Sequence, residues 1–126
     1  MNRASRVAAL VNAAWMTFVW ATRINNAVGD ATLSRSGAVL AYSLSAVGIA
    51  SAAVLVVAAW KGVAVGAVVP LAAVQIVVWV VRGATIAFGS RAVGFKVVHV
   101  VLAVISVSLA GWLIGEMRRG DVAAVV

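Results

Sequence analysis

Two copies of one short motif carry many of the side chains in this chain that could do chemistry. Val19-Trp20-Ala21-Thr22-Arg23 and Val78-Trp79-Val80-Val81-Arg82 share the spelling Val-Trp-x-x-Arg, and each closes a long apolar run. Arginine beneath tryptophan at a membrane surface suits the geometry of a phosphate group. Eight residues at or after these motifs form the predicted patch for an anionic headgroup or an acidic partner: Trp20, Arg23, Asp30, Tyr42, Trp79, Arg82, Lys96 and His99.

Two other interpretations of this patch stay open. Arginines that snorkel from helix ends and tryptophans in an interfacial belt need no ligand. A quinone site could use Arg82, His99 and Tyr42, whereas bis-histidine haem ligation within one chain needs more than the single histidine present. One histidine, three acidic residues and no cysteine assemble neither a catalytic triad nor a metal site. The leading prediction is therefore a protein without catalytic residues, metal ligands or a cofactor, with the quinone-linked site as an alternative.

The elements that hold this patch follow from composition. The 126 residues are 65% hydrophobic and 10% charged, and the mean hydropathy is +1.15. Soluble domains carry roughly 25% charged residues, and so short a soluble chain could not bury this much apolar surface. We predict a single all-α integral membrane domain, a four-helix bundle. Its four spans are expected at about residues 7–23, 37–60, 63–81 and 95–114.

The first apolar run follows a short basic head, an arrangement that also occurs in secretory signal peptides. Trp15 and Phe18 are bulky, and the run ends in Trp-Ala-Thr-Arg and not in a small-residue cleavage site. These features favour an uncleaved transmembrane helix.

The net charge of +7 does not indicate nucleic-acid binding, because the basic residues flank the apolar runs and form no block. Basic residues at helix ends meet anionic headgroups and set topology. Arg23, Arg82 and Lys96 adjoin apolar runs and are left out of the topology count. The remaining charges favour the terminal side, so we predict a plasma-membrane protein with both termini cytoplasmic. That side holds Arg3, Arg6, Lys61, Arg118 and Arg119.

The repeated motif predicts two consecutive two-helix hairpins, because each copy closes one apolar run and is followed by a short polar loop and a second apolar run. Only Lys61 and Gly62 separate the second and third spans, which favours antiparallel neighbours. Trp79 lies 59 positions after Trp20, and a true duplication would relate the two hairpins by an axis along the membrane normal. The motif also fits any helix that leaves a membrane. Pro70 predicts a kink in the third span near residue 66.

Asn12 and Gln75 are the strong polar groups at mid-membrane depth, and we expect them to form interhelical hydrogen bonds. A proton-coupled transporter would need more, since no carboxylate lies at that depth. Small residues recur along the second and fourth spans and allow close helix packing. The leading functional prediction is a non-enzymatic accessory or scaffold subunit, or a self-associating membrane protein. Quinone-linked or haem-linked redox subunits and transporter components are the alternatives, and lipid, another membrane protein or a second copy are the expected partners.

Several stretches resemble a group of small four-span membrane proteins of high-GC actinobacteria. The resemblance rests on Thr22-Arg23-Ile24-Asn25 with Asp30 and Leu33-Ser34, and on Trp79-Val80-Val81-Arg82 with Phe95-Lys96-Val97-Val98-His99. Gly89-Ser90-Arg91 departs from the group, whose second loop often holds an acidic residue. The resemblance implies a membrane location and four spans, and it implies no activity.

Overall fold

The computed structural model describes residues 1–63 and 66–125. The described chain folds into four helices, α1 (Arg3–Gly29), α2 (Arg35–Lys61), α3 (Val68–Ala87) and α4 (Val93–Val125). The predicted all-α class is confirmed. Each helix contains a stretch long and apolar enough to cross a membrane, which makes this a membrane protein.

Local sequence explains where α2 begins and ends. The Ser34 hydroxyl accepts a hydrogen bond from the Gly37 amide at 3.1 Å and caps the first turn of the helix. The helix ends at Gly62, whose φ of 66° lies in the left-handed region that glycine adopts without a Cβ clash. The chain can therefore leave α2 abruptly.

Three of the helices differ from the predicted spans. α1 continues to Gly29 and α4 to Val125, well beyond the apolar runs. α3 begins at Val68, so Pro70 lies in its first turn, where a missing amide breaks no helical hydrogen bond. The kink predicted at Pro70 is therefore wrong. The expected span start at residue 63 leads into residues 64 and 65, which lie outside the described residues.

The helices pack as two hairpins, α1 with α2 and α3 with α4. The hairpins meet mainly where α1 packs against α4, while α1 and α3 lie diagonally across the bundle. α2 and α3 follow each other in sequence yet pack only loosely against each other. The predicted pair of hairpins is confirmed, and the bundle is closed on the α1–α4 side and open on the α2–α3 side.

Small residues let the helices approach closely. Alanines dominate the buried core, and Leu55 and Leu113 are its largest fully buried side chains. A Cβ on Gly48 would overlap the indole of Trp20, so this glycine makes room for the ring between α1 and α2. A Cβ on Gly83 would come within 3.0 Å of Ala103, which fixes a close approach of α3 and α4.

Candidate functional site

The two Val-Trp-x-x-Arg motifs contact each other in the core of the bundle, between the two hairpins. Trp20 of α1 and Trp79 of α3 have ring centroids 5.9 Å apart at an interplanar angle of 43°, a tilted aromatic pair. Both rings are buried, with exposed fractions of 4% and 3%. Tryptophans in an interfacial belt would face the headgroups. These two instead form part of the core that joins the hairpins.

One turn beyond this pair, Arg23 and Arg82 line a common recess of about 250 Å³ between α1, α3 and α4. Trp79 lies against it, and His99 of α4 lines its far wall. We call this space the arginine recess. The Nε of Arg23 is buried and has no hydrogen-bond partner among the described residues. Two arginines from different hairpins thus share a recess to which neither brings a counterion.

The same two arginines line a second, larger space of about 760 Å³ between α2 and α3. We call it the α2–α3 cleft. Arg91, from the loop before α4, also lines it. Its remaining walls are largely aliphatic, and they include Leu33, Leu40, Leu44, Val77, Val78 and Val81. The cleft therefore has an apolar body with three guanidinium groups at one end.

Most residues that line the recess are equivalent, in the sequence repeat, to residues that line the cleft. Adding or subtracting 59 from the number of a recess residue usually gives a cleft residue. Arg23 and Arg82 exchange places under this shift, and His99 is replaced by Leu40. The other matched pairs are Phe18 with Val77, Val19 with Val78, Thr22 with Val81 and Asn26 with Thr85. Most lining positions of the recess thus correspond to cleft positions under the shift, and both spaces share the arginine pair.

A stack of three side chains borders the cleft and leads to the recess. Phe95 and His99 rings are stacked with centroids 3.9 Å apart, and the Arg91 guanidinium lies 5.2 Å from the Phe95 centroid. The Nδ1 of His99 lies 2.8 Å from the Phe95 carbonyl oxygen. If Nδ1–H donates there, Nε2 remains an acceptor. The sequence patch omitted Phe95 and Arg91, although spacings of four residues along the chain could have identified both.

The remaining members of the predicted patch lie outside the recess and the cleft. Tyr42 is exposed and Lys96 half-buried, and neither lines the arginine recess or the α2–α3 cleft. Asp30 accepts hydrogen bonds from the Thr32 hydroxyl at 2.6 Å and from the Thr32 amide at 2.9 Å. These two bonds, together with the positive charge of Arg91, hold the pKa of Asp30 below its ordinary value. Its carboxylate is thus engaged in its own loop.

Asn12 and Gln75, which we expected to form hydrogen bonds between helices, have buried polar atoms without a partner among the described residues. Asn12 is fully buried, yet neither polar atom of its amide has a hydrogen-bond partner in the described chain. The Nε2 of Gln75 is likewise buried without a partner among residues 1–63 and 66–125. The side-chain hydrogen bond between helices comes from Trp15, whose Nε1 donates to Ser106 Oγ at 2.8 Å. Sequence reasoning gave neither partner this role.

Arg23, Arg82 and Arg91 lie at the same end of the bundle, which we call the arginine end. Their positive charges make this end receptive to anions. Within the described residues, the ion pair that forms joins Glu116 and Arg119 at the opposite end of α4. Arg23, Arg82 and Arg91 therefore keep their donors available for a planar oxyanion, which guanidinium groups bind through paired hydrogen bonds.

No family model, no curated protein and no solved structure matches this chain. The resemblance to small four-span actinobacterial proteins therefore stays a prediction, and function has to be argued from the geometry of the arginine end.

Proposed function

We propose that this protein is a non-enzymatic accessory or scaffold protein of the membrane that binds the phosphate of an anionic lipid at Arg23 and Arg82. The observation that carries the proposal is the placement of these two arginines. They come from different hairpins, line the same recess and have no carboxylate partner in the described chain. Partly buried like charges repel, so a bound phosphate would join the hairpins by bridging the two guanidinium groups and offsetting part of their repulsion.

Depth supports a lipid phosphate as the anion. Arg23 lies at the end of the first apolar run and Arg82 at the end of the third. Arginines at this level reach the headgroup region of a bilayer. Arg91, which lines the adjoining cleft, adds a third positive charge on the same side. The arrangement suits a phosphodiester better than a neutral headgroup.

Retention of lipid by the purified protein tests the proposal. Protein in nanodiscs of equal phosphatidylglycerol and phosphatidylcholine is released and weighed by native mass spectrometry. We expect bound phosphatidylglycerol on the wild-type protein and roughly tenfold weaker retention by the Arg23→Gln/Arg82→Gln variant, a loss of about 1.4 kcal/mol. The matched control is Arg3→Gln/Arg118→Gln, which removes the same charge from two exposed arginines elsewhere. Equal losses in both variants would reduce the effect to net charge and overturn the proposal.

The accessory role makes a separate prediction. In mild detergent the protein should purify with a second copy or another membrane protein as well as with lipid. A monomer that carries neither protein nor lipid contradicts this role. We further propose a plasma-membrane location with both termini in the cytoplasm, supported by the basic residues on the terminal side. Strong activity of a C-terminal alkaline phosphatase fusion, an enzyme that works outside the cytoplasm, would refute that orientation.

One observation favours a second candidate, a quinone head in the arginine recess. His99 and Arg82 line this recess together, and the contact from His99 Nδ1 to Phe95 fixes the imidazole. A ring carbonyl could accept a hydrogen bond from the Arg82 guanidinium, and His99 Nε2 could accept one from the hydroxyl of the reduced quinol. Solvent extraction of the purified protein followed by mass analysis separates the candidates. Stoichiometric quinone lost on Arg82→Gln/His99→Leu substitution supports the redox-linked alternative, and bound phospholipid without quinone supports the proposal above.

A further inference from the structure

The two sides of the bundle differ at positions that the 59-residue shift makes equivalent. On the closed side, Trp15 of α1 is hydrogen-bonded to Ser106 of α4. The equivalent residues on the open side are Val74 of α3 and Val47 of α2. These valines are 55% and 60% exposed, and both line a small space of about 40 Å³ between α1, α2 and α3. The open side thus lacks the residue pair that ties the closed side.

This small space adjoins the α2–α3 cleft. Leu44 and Val78 line both, so the two spaces are neighbours along α2 and α3 and together form the opening of the bundle on this side, from the arginine end towards the middle. Seven residues separate Gln75, at its inner end, from Arg82, which corresponds to about 10 Å along the helix axis. The opening is polar at the membrane surface and apolar along its length. It therefore matches an amphiphile, which has a polar head group and an apolar chain.

We propose that an acyl chain of the anionic lipid lies in the α2–α3 cleft while its phosphate contacts Arg23, Arg82 and Arg91. The inference rests on the proposed function, which places the phosphate at Arg23 and Arg82, and it adds the path of the chain. Charge complementarity selects a lipid with an anionic head. The cleft volume of about 760 Å³ is that of a small-ligand site. A transmembrane helix of a partner is about 10 Å wide and 20 residues long, so it could cover the mouth of such a space but could not lie inside it.

Photochemical labelling tests the chain path directly. The protein is reconstituted in vesicles of phosphatidylcholine and phosphatidylglycerol in which the phosphatidylglycerol carries a diazirine on one acyl chain, and the adducts are mapped by peptide mass spectrometry. We expect adducts concentrated on the cleft-lining residues Leu40, Leu44, Val77, Val78 and Val81, at least threefold above the exposed valines of α4. Diazirine-labelled phosphatidylcholine should label all lipid-facing positions evenly. Even labelling by both lipids would overturn the inference.

Two sets of variants provide a second measurement. Val78→Trp fills the junction of the two spaces, and Val47→Ser/Val74→Trp transplants the closed-side pair onto the open side. Each should reduce cleft adducts severalfold. The matched controls are Val80→Trp and Val57→Ser/Val80→Trp, which place the same side chains on α2 and α3 away from the cleft. Equal loss in variants and controls would contradict the chain path.

The two measurements distinguish failure of the phosphate site at Arg23 and Arg82 from failure of the acyl-chain path in the α2–α3 cleft. If Arg23→Gln/Arg82→Gln abolishes phosphatidylglycerol retention while adducts stay evenly spread, the phosphate site stands and the chain path is wrong. If the arginine variant retains phosphatidylglycerol fully, the phosphate site itself is wrong, and the inference falls with it.

Discussion

The indole Nε1 of Trp15 donates a hydrogen bond to the Oγ of Ser106 over 2.8 Å and thereby ties the first hairpin to the second. Ser106 is fully buried, so water does not compete for its hydroxyl. The bond lies on the α1–α4 side, where the hairpins pack closely, and its counterpart on the α2–α3 side is a pair of valines, Val47 and Val74. The interhelical hydrogen bond of the closed side therefore has no counterpart at the equivalent positions of the open side.

Replacing Ser106 by alanine should weaken the junction of the hairpins. The indole donor loses its partner, and interhelical bonds of this kind in membranes contribute about 0.6 kcal/mol on average and up to about 1.7. We expect a loss near 1 kcal/mol, measured as reversible unfolding in mixed micelles. Ser108→Ala is the matched control, because Ser108 is exposed on the same helix. A Ser106→Ala protein as stable as the control would show that the bond contributes nothing.

The sequence predicts the helices well and their ends poorly, for a physical reason. Hydropathy reports where lipid begins, whereas a helix ends where the backbone meets a residue that cannot continue it. α1 passes Arg23 and runs to Gly29, and α4 continues through its charged end, where Arg119 pairs with Glu116 at 2.7 Å. The sequence predicts a kink at Pro70 because the hydropathy profile does not show that the helix begins only at Val68.

The sequence is enough to predict that the two arginines lie at the same end of the bundle, but it is not enough to predict that the two tryptophans are buried. Repetition of the motif places Arg23 and Arg82 at equivalent depth, and that suffices to bring them to one end of the bundle. The same repetition fits a belt of exposed rings equally well. Burial of Trp20 depends on Gly48 of another helix, and burial of Trp79 depends on how the hairpins meet. Such contacts between distant parts of the chain leave no local pattern.

Any side chain at Gly48 should destabilise the protein. Its Cβ would overlap the Trp20 indole, and overpacking of a tight core costs roughly 1–3 kcal/mol. We expect Gly48→Ala to lower unfolding stability by about 1 kcal/mol despite the better helix propensity of alanine. Gly111→Ala serves as the control, because no neighbouring heavy atom outside its own helical surroundings lies within 4 Å of the added Cβ. That variant should be neutral or slightly stabilised. Destabilisation of equal size in both would contradict the packing argument.

Gln75 should be replaceable by an apolar side chain of similar shape with a gain in stability. Only 6% of Gln75 is exposed, and its Nε2 has no hydrogen-bond partner within the described residues. A buried donor without a partner costs roughly 1–3 kcal/mol. Gln75→Met should therefore raise unfolding stability by about 1 kcal/mol, measured in the same micelles. A comparable loss of stability would reveal that the amide is bonded and that Gln75 acts as the interhelical contact expected from the sequence.

The sign of the Arg82→Gln effect on stability should depend on the lipid. In a neutral detergent, Arg82 faces the like charge of Arg23 across the arginine recess, and partly exposed charge pairs of this kind contribute roughly 0.5–1 kcal/mol. The variant should then be more stable than the wild-type protein by about that amount. Added phosphatidylglycerol should stabilise the wild-type protein, because ligand bound only to the folded state shifts the equilibrium, and should stabilise the variant less. Thermal unfolding with and without this lipid measures both effects. Arg118→Gln, the control at the opposite end, should respond to the lipid as the wild-type protein does. An Arg82→Gln protein that gains as much from the lipid would place the anion elsewhere.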